Sequence, residues 1–494
     1  MREKCARNRE TGRATGRARS RGVAWFASRR AARFAERVPA AASALSHRSH
    51  RLETVPAAPT LNREILRLAV PALGALVAEP LFLIVDAALI GHLGTVPLAG
   101  LGIASAVLQT IVGLMIFLAY STTPAVARRF GAGQHGDAVS VGIDGMWLAL
   151  GLGATLAAAG AVATPWLVSL FGAADDVSTQ AITYLMISMW GLPAMLVVFA
   201  ATGLLRGMQD TVTPLWIAGL GFGANALLNW LFIYGFGWGI AGSAFGTVTA
   251  QWGMVAAYVV VIRRLALRHG ASMKAQREGL RGTARSGGWL FLRTVSLRIA
   301  LLATVGIATG IGTRELAGWQ IAFTIFSTAT FALDALAIAA QALIGKGLGT
   351  GDREQVHRVL RRTVAWGAWF GVIVGALIAA TSGLLGLVFT GDATIAALVQ
   401  PALIVLAISQ PVAGVVFVLD GVLMGADDAR YLALAGVLNL VPFLPALWII
   451  SATGVAGAAG LLWLAIAFFG VYLLARLATL GWRVRTDRWM GAAT

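Results

Sequence analysis

From Leu61 onward the chain alternates apolar runs of about 20 residues with short polar breaks. A helix needs roughly that many residues to cross a hydrocarbon core of about 30 Å. The pattern predicts twelve spans, over 64–90, 97–122, 137–161, 177–202, 212–234, 239–262, 288–309, 315–340, 357–381, 394–417, 429–450 and 455–480. Backbone groups find no water partner in lipid, so runs of this length should be α-helices. The in/out alternation over about ten residues that a barrel strand needs is absent. The expected fold class is an all-α integral membrane protein with twelve transmembrane helices.

The cations give the orientation. Arg128 and Arg129 follow span 2, Arg206 follows span 4, and a basic stretch from Arg263 to Arg285 separates spans 6 and 7. Lys346, Arg353, Arg358, Arg361 and Arg362 lie between spans 8 and 9 or in the first turns of span 9, Arg430 follows span 10 at the start of span 11, and Arg483, Arg485 and Arg488 close the chain. The intervening loops carry Arg314 and almost nothing else. The positive-inside rule then puts both termini in the cytoplasm of a multi-pass protein of the cell (plasma) membrane. An even number of spans agrees with that.

The two halves repeat. At an offset of 218 residues, "LAGLGIA" from Leu98 answers "LAGWQIA" from Leu316. Gly131 and Gly133 answer Gly349 and Gly351, Arg128 answers Lys346, and Pro193 answers Pro411. "GLLRGMQD" from Gly203 answers "GVLMGADD" from Gly421. Six spans separate equivalent points, so the halves share one topology and should be parallel repeats about an axis near the membrane normal. The expected organisation is a basic tail over 1–60, an N-lobe over 61–262, a cytoplasmic linker over 263–287, a C-lobe over 288–480 and a cytoplasmic tail over 481–494. Two pseudo-symmetric six-helix lobes around a central cleft form a transporter architecture, with the substrate site expected near the midplane.

Composition sharpens this picture. Hydrophobic residues make up 58% of the 494 positions and charged residues 12%, against about 25% charged in soluble domains. Gly is abundant, at 59 residues, and lets membrane helices approach closely. The single Cys, Cys5, excludes a disulfide framework within one chain, and the six His lack metal-ligand spacing. No phosphate-binding G-x-x-x-x-G-K-[ST] is present, so ATP is not the direct energy source. The charge of +17 is topology plus a tail, so nucleic-acid binding is not implied.

Residues 1–53 carry 14 Lys/Arg against four Glu and no apolar period. Three readings stay open: a basic tail attracted to anionic lipid, an organelle transit peptide, or an over-extended translation start with synthesis beginning near Val55. It lacks the apolar segment of a secretory signal.

The candidate chemistry is acid in oil. Asp86 sits inside span 1 with no partner nearby in sequence, where a charge costs about 2.5–3.5 kcal/mol to insert. Burial disfavours the ionised form of a carboxyl, the property a proton carrier needs. Glu79 lies seven residues earlier and precedes Pro80, whose ring removes a helix hydrogen bond. It reads either as a second protonatable group or as a stabiliser of a kink. In the second half, Asp334 has no cation within a turn and is a second cleft candidate, whereas Asp420, near the end of span 10, reads as structural. Of the arginines opening span 7, Arg293 should snorkel to the cytoplasmic surface, and Arg298, deeper, has pairing with an acid as one alternative. Trp190, Trp230 and Trp252 lie away from span ends and read as packing or lipid contacts, with cation stacking as the alternative. Asn225 and Asn229, four apart, share a helix face and supply amides to a carboxyl without fixing its charge.

These motifs resemble a known family. "LIVDAALIGHLGT" is similar to the first-helix signature VDT-x-x-IGHLG of the DinF-like branch of the multidrug and toxic compound extrusion (MATE) family, with Ala87 at its Thr. "GLLRGMQDTVTPL" and the N-x-x-x-N of Asn225 and Asn229 resemble further family elements, and the likeness covers roughly residues 61–480. It implies a twelve-helix efflux transporter that alternates between outward- and inward-open states, driven by H⁺ or Na⁺. It implies coupling-ion roles for Asp86, Asn225, Asn229 and Thr247, and a hinge at Pro71, with Pro80 as a second bend. Asn229 stands where many relatives carry a second Asp. One carboxylate provides less charge for a metal cation but still carries a proton, so Na⁺ at Asp86 should bind weakly.

The expected function is therefore export of lipophilic or cationic drugs and toxins in exchange for H⁺, less readily Na⁺, by a monomer in membrane lipid without a cofactor. One rival is a lipid-linked oligosaccharide flippase of the same wider superfamily, which would more often show extra helices and cations in the cleft; neither is evident in the sequence. Another is a polytopic enzyme or scaffold without transport. Deleting residues 1–53 should leave flux in proteoliposomes unchanged; lost activity in correctly inserted protein would give the tail a function.

Overall fold

The computed structural model describes residues 61–491. The readings of residues 1–53, the expected 1–60 tail and Cys5 therefore lie outside the described residues. Those described contain no strand. They form α1 (Leu61–Gly91), α2 (Thr95–Gly131), α3 (His135–Ser169), α4 (Asp175–Met189 and Leu192–Gly207), α5 (Val212–Gly235) and α6 (Gly239–His269). The second half gives α7 (Arg277–Ile311), α8 (Thr313–Thr350), α9 (Arg353–Phe389), α10 (Ala393–Gly425), α11 (Ala429–Thr453) and α12 (Gly457–Val484). Each is long and apolar enough to cross a membrane once the two segments of α4, bent by 48°, are taken as one span. The bend falls at Trp190–Gly191, just before Pro193, which opens the second segment where a missing N–H costs least.

Helices overrun the predicted spans at the basic end. α6 continues to His269 and α7 begins at Arg277, so the non-helical connector between halves is only 270–276. Gly270, at φ 67°, ends α6 in the left-handed conformation that glycine adopts without a Cβ penalty. Asp352 caps α9, accepting from the Gln355 N–H at 2.8 Å.

The repeat is written into the backbone. The two non-glycine residues with positive φ among those described are Gln209, at 66°, and Asp427, at 59°, one repeat apart. Gly133 and Gly351, also equivalent, both have φ 76°. Helix pairing follows the same rule: α1–α5, α2–α4 and α3–α4 in one half answer α7–α11, α8–α10 and α9–α10 in the other. These crossings rest on glycine. A Cβ on Gly203 would stand 2.8 Å from Ala119 O, and one on the equivalent Gly421 would stand 2.5 Å from Ala337 O. With no side chain, the backbones close to Cα–H···O distance, which in lipid replaces the hydrophobic drive for association.

The halves meet at the basic end. The second part of α2 packs on α8, and α1 packs on α8 through Ala72, Leu73 and Leu76 against Ala335 and Ile338. Gln341 donates to Tyr120 O at 2.9 Å, Gln209 to Ala342 O at 2.9 Å and Arg128 to Ala426 O at 3.3 Å. The closest approach is symmetric. Gly131 lies against Lys346 O, and its equivalent Gly349 against Arg128 O, with no space for a Cβ on either. Asp427 flanks this seam, accepting from Ser286 Oγ at 2.6 Å; burial raises its carboxyl, opposed by Ser286 and by Arg128.

Gly203→Leu and Gly421→Leu should each lower stability by about 1–3 kcal/mol or more, since backbone blocks the new side chain. Gly253→Leu, where a Cβ meets nothing within 4 Å, is the control. Thermal midpoints in detergent check this; equal midpoints for all three would contradict the packing account.

Candidate functional site

Three helices converge on the Asp86 carboxylate of α1, which is only 4% exposed. From α5, Asn229 Nδ2 donates to Oδ1 at 2.8 Å. From α6, Ser243 Oγ donates to the same oxygen at 2.6 Å. From α4, the Tyr184 hydroxyl donates to Oδ2 at 3.3 Å. One turn along both α5 and α6, Asn225 Nδ2 donates to Thr247 Oγ1 at 3.0 Å. The sequence candidates thus form two layers: Asn229 touches Asp86, whereas Asn225 and Thr247 bond each other beside it. Ser243 and Tyr184 were not legible as partners, although Ser243 precedes Thr247 by four residues on the same helix face.

Glycine again makes the layer possible. Gly246 of α6 lies directly against Asn229 Oδ1, leaving no space for a Cβ, and Gly242 packs on the Phe232 backbone. These two close α6 onto α5 at the height of Asp86. Two oxygens remain unanswered: Asn225 Oδ1 and Asn229 Oδ1 are buried without a hydrogen-bond partner. A buried carbonyl without a donor costs about 1–3 kcal/mol.

Asp86 and Asn225 face a cavity of about 430 Å³ in the first half, together with Glu79, Gln109, Thr247 and Gln251, and Arg298 reaches it from the second half. Glu79 is open to this cavity and makes no hydrogen bond or ion pair among the described residues. α1 is helical through both Pro71 and Pro80. No group of three or more His, Cys, Asp or Glu side chains suited to a metal ion occurs among the described residues. A cation at Asp86 would therefore rely on one carboxylate and the neutral oxygens of Asn225, Asn229, Ser243 and Thr247.

The second half has its own polar centre. Asp420 of α10 is ion-paired with Arg293 of α7 and, at 2.7 Å, with Arg476 of α12. Arg293 is 8% exposed, so it does not snorkel to the surface as its place near the start of span 7 suggested. It turns inward because a buried acid awaits it on α10. Arg298 departs in the opposite sense. It has no acid partner among the described residues, and its guanidinium lies on Gly113 of α2, across the interface. It lines both the Asp86 cavity and a second one of about 400 Å³ that contains Asp334, Asp420 and Arg476. The cleft therefore does hold cations, which hydropathy alone did not reveal. Trp190, Trp230 and Trp252 are 71%, 54% and 41% exposed on the outside of the helix bundle and take no part in either cavity.

Comparison with known proteins follows the same lines. The MatE family model matches residues 71–231 and, separately, 291–446, one match in each half. The chain is 29% identical to Protein DETOXIFICATION 44, chloroplastic, of Arabidopsis thaliana, over 87% of this chain and 84% of that one. It is 26% identical to DNA damage-inducible protein F of Escherichia coli (strain K12), over 61% and 66%. Among solved structures it resembles the Vibrio cholerae MATE transporter VcmN in the bent form, with a TM-score of 0.79 and 20% identity over 88% of this chain and 98% of that one.

Asp420→Leu should cost about 3–5 kcal/mol, because it leaves Arg293 and Arg476 buried without a counter-charge. Unfolding by SDS in mixed micelles measures it. A loss below about 1 kcal/mol, the range of an exposed pair, would mean that cavity water already solvates both arginines.

Proposed function

The chain belongs to the MatE family, whose members are multi-pass membrane transporters, and on that premise we propose that it is a secondary-active antiporter exporting organic solutes in exchange for H⁺. The observation that carries this reading is the Asp86 constellation on the wall of the first-half cavity, which Arg298 of the second half also lines. Three donors satisfy the carboxylate in its charged form. Once protonated, Asp86 becomes a donor itself, and the unpartnered Asn229 Oδ1 is the nearest kind of acceptor it then needs. Exchange of one proton thus reverses the direction of a hydrogen bond between α1 and α5, and rearrangement of α1 near Pro71 and Pro80 would follow from it. A lipophilic cation in the same cavity competes with that proton for Asp86 and Glu79.

The closed seam at the basic end supports alternating access. With that end in the cytoplasm, the Gly131–Gly349 crossing seals the inside, while one cavity lies in each half and both are lined by Gly113, Ile116 and Arg298. Opening inward requires α2 and α8 to part along their pseudo-two-fold axis. The chain then works as a monomer in membrane lipid. The plasma membrane is the proposed address; the chloroplastic relative and the basic segment 1–53 make an organelle membrane the alternative.

A second reading, Na⁺ coupling, is favoured by the two orphaned carbonyl oxygens. It is the weaker one physically. A Na⁺ ion at Asp86 would have to turn away all three donors now on the carboxylate, and Asn229 offers no second negative charge to offset dehydration.

Flux of a cationic dye from proteoliposomes tests both. A pH gradient alone should drive it, Asp86→Asn should abolish the uphill component while insertion is retained, and Asn229→Asp should increase the Na⁺ response. Efflux that follows ΔNa⁺ at clamped pH and ignores ΔpH would reverse the assignment.

A further inference from the structure

The cavity in the second half contains charge that the Asp86 chemistry does not use. Three arginines line it, Arg293, Arg298 and Arg476, against two acids, Asp334 and Asp420. Asp420 is engaged by both Arg293 and Arg476 and so leaves that trio with a net positive charge. Arg298 is a guanidinium with no hydrogen bond or ion pair among the described residues, held over Gly113 at the junction of the two cavities. A charge this deep between membrane helices is costly to leave unanswered. Asp334 sits on the same wall and likewise makes no hydrogen bond or ion pair.

The rest of the wall is aromatic. Phe323, Phe326, Phe417 and Phe468 line the cavity, with Phe326 packed edge-on against Phe417 and Phe468 at centroid distances of 6.3 and 6.2 Å. Rings in this arrangement offer positive edges and flat faces to another ring. An arginine fork binds a carboxylate through two parallel hydrogen bonds.

We propose that this cavity is a site for an organic anion, a carboxylate on an aromatic or apolar body, with the carboxylate on Arg298 and the body against Phe323, Phe326, Phe417 and Phe468. The acid-walled cavity around Glu79 and Asp86 suits cations, so the cleft has two faces of opposite preference, and Arg298 marks the border between them. Asp334 opposes an anion in this cavity, so its removal should have the opposite effect to removal of Arg298.

The site does not depend on the coupling ion and is measured without a gradient. Purified full-length protein in lipid nanodiscs is titrated calorimetrically with 1-naphthoate and, as the charge-reversed control, 1-naphthylmethylamine. Arg298→Gln should weaken naphthoate binding roughly tenfold or more, the scale of a lost charge-assisted hydrogen bond. Arg298→Lys should weaken it less, and Asp334→Asn should tighten it. The amine should bind Arg298→Gln as well as it binds wild type. Naphthoate binding that is absent from folded wild type, or indifferent to Arg298→Gln, would overturn the proposal. So would equal loss of both ligands in Arg298→Gln, which would make the arginine a structural strut. If naphthoate binds as expected and no pH gradient drives flux, the antiport reading fails and the anion site stands; the converse result separates them the other way.

Discussion

A carboxylate in hydrocarbon must be answered by protein, because lipid offers it no hydrogen bond. Asp86 is answered by Asn229, Ser243 and Tyr184, from three different helices. That requirement fixes how α1, α4, α5 and α6 stand toward one another, and it explains why α6 carries Gly242 and Gly246 where it meets α5. The same requirement, met by arginine rather than by neutral donors, organises the other half around Asp420. The contrast is chemical. Neutral donors let a carboxyl change its charge without leaving a bare partner, whereas an acid locked between two arginines is built to keep its charge. The fold therefore holds one acid met by neutral donors and one locked between arginines, each within its own half.

Duplication supplies the scaffold on which this asymmetry is placed. Equivalent glycines, equivalent left-handed residues and equivalent helix pairs recur one repeat apart. Where the two copies meet, Gly131 and Gly349 cross with no side chain between them. Around that crossing, three side-chain hydrogen bonds to backbone and one small apolar cluster complete the seam. The polar side chains have diverged around it: the acid on α1 is Asp86, whereas its counterpart half has arginines on α7.

Much of this was legible in the sequence. Hydropathy sets the spans, because length and polarity alone decide what crosses a bilayer. The repeat and the cation pattern gave the topology of the helices. Asp86 and Asn229 were legible because a lone acid in an apolar run and an i, i+4 pair are rare enough to notice. Ser243 and Tyr184 were not, since single hydroxyls are common in membrane helices and bond their own backbone, as Thr164 does with Gly160 O at 2.7 Å. Arg293 and Arg298 both departed from expectation for a simple reason. Five residues turn a helix by roughly 140° beyond a full circle, so Arg293 meets Asp420 within its own half and Arg298 meets Gly113 of the other. Position along a span indicates depth, and only the neighbouring helices decide the face.

In the proposed cycle, solute and proton exchange through one buried carboxyl, Asp86. Coupling of that kind is reciprocal. The direct measurement is proton movement driven by solute. Proteoliposomes loaded with ethidium and an internal pH dye, weakly buffered, with equal pH and no Na⁺ on the two sides, are diluted into dye-free medium. Ethidium leaving down its gradient should draw protons inward, so that the lumen acidifies. The acidification should be absent from Asp86→Asn vesicles. Ethidium efflux of wild-type rate with no proton movement would contradict that cycle.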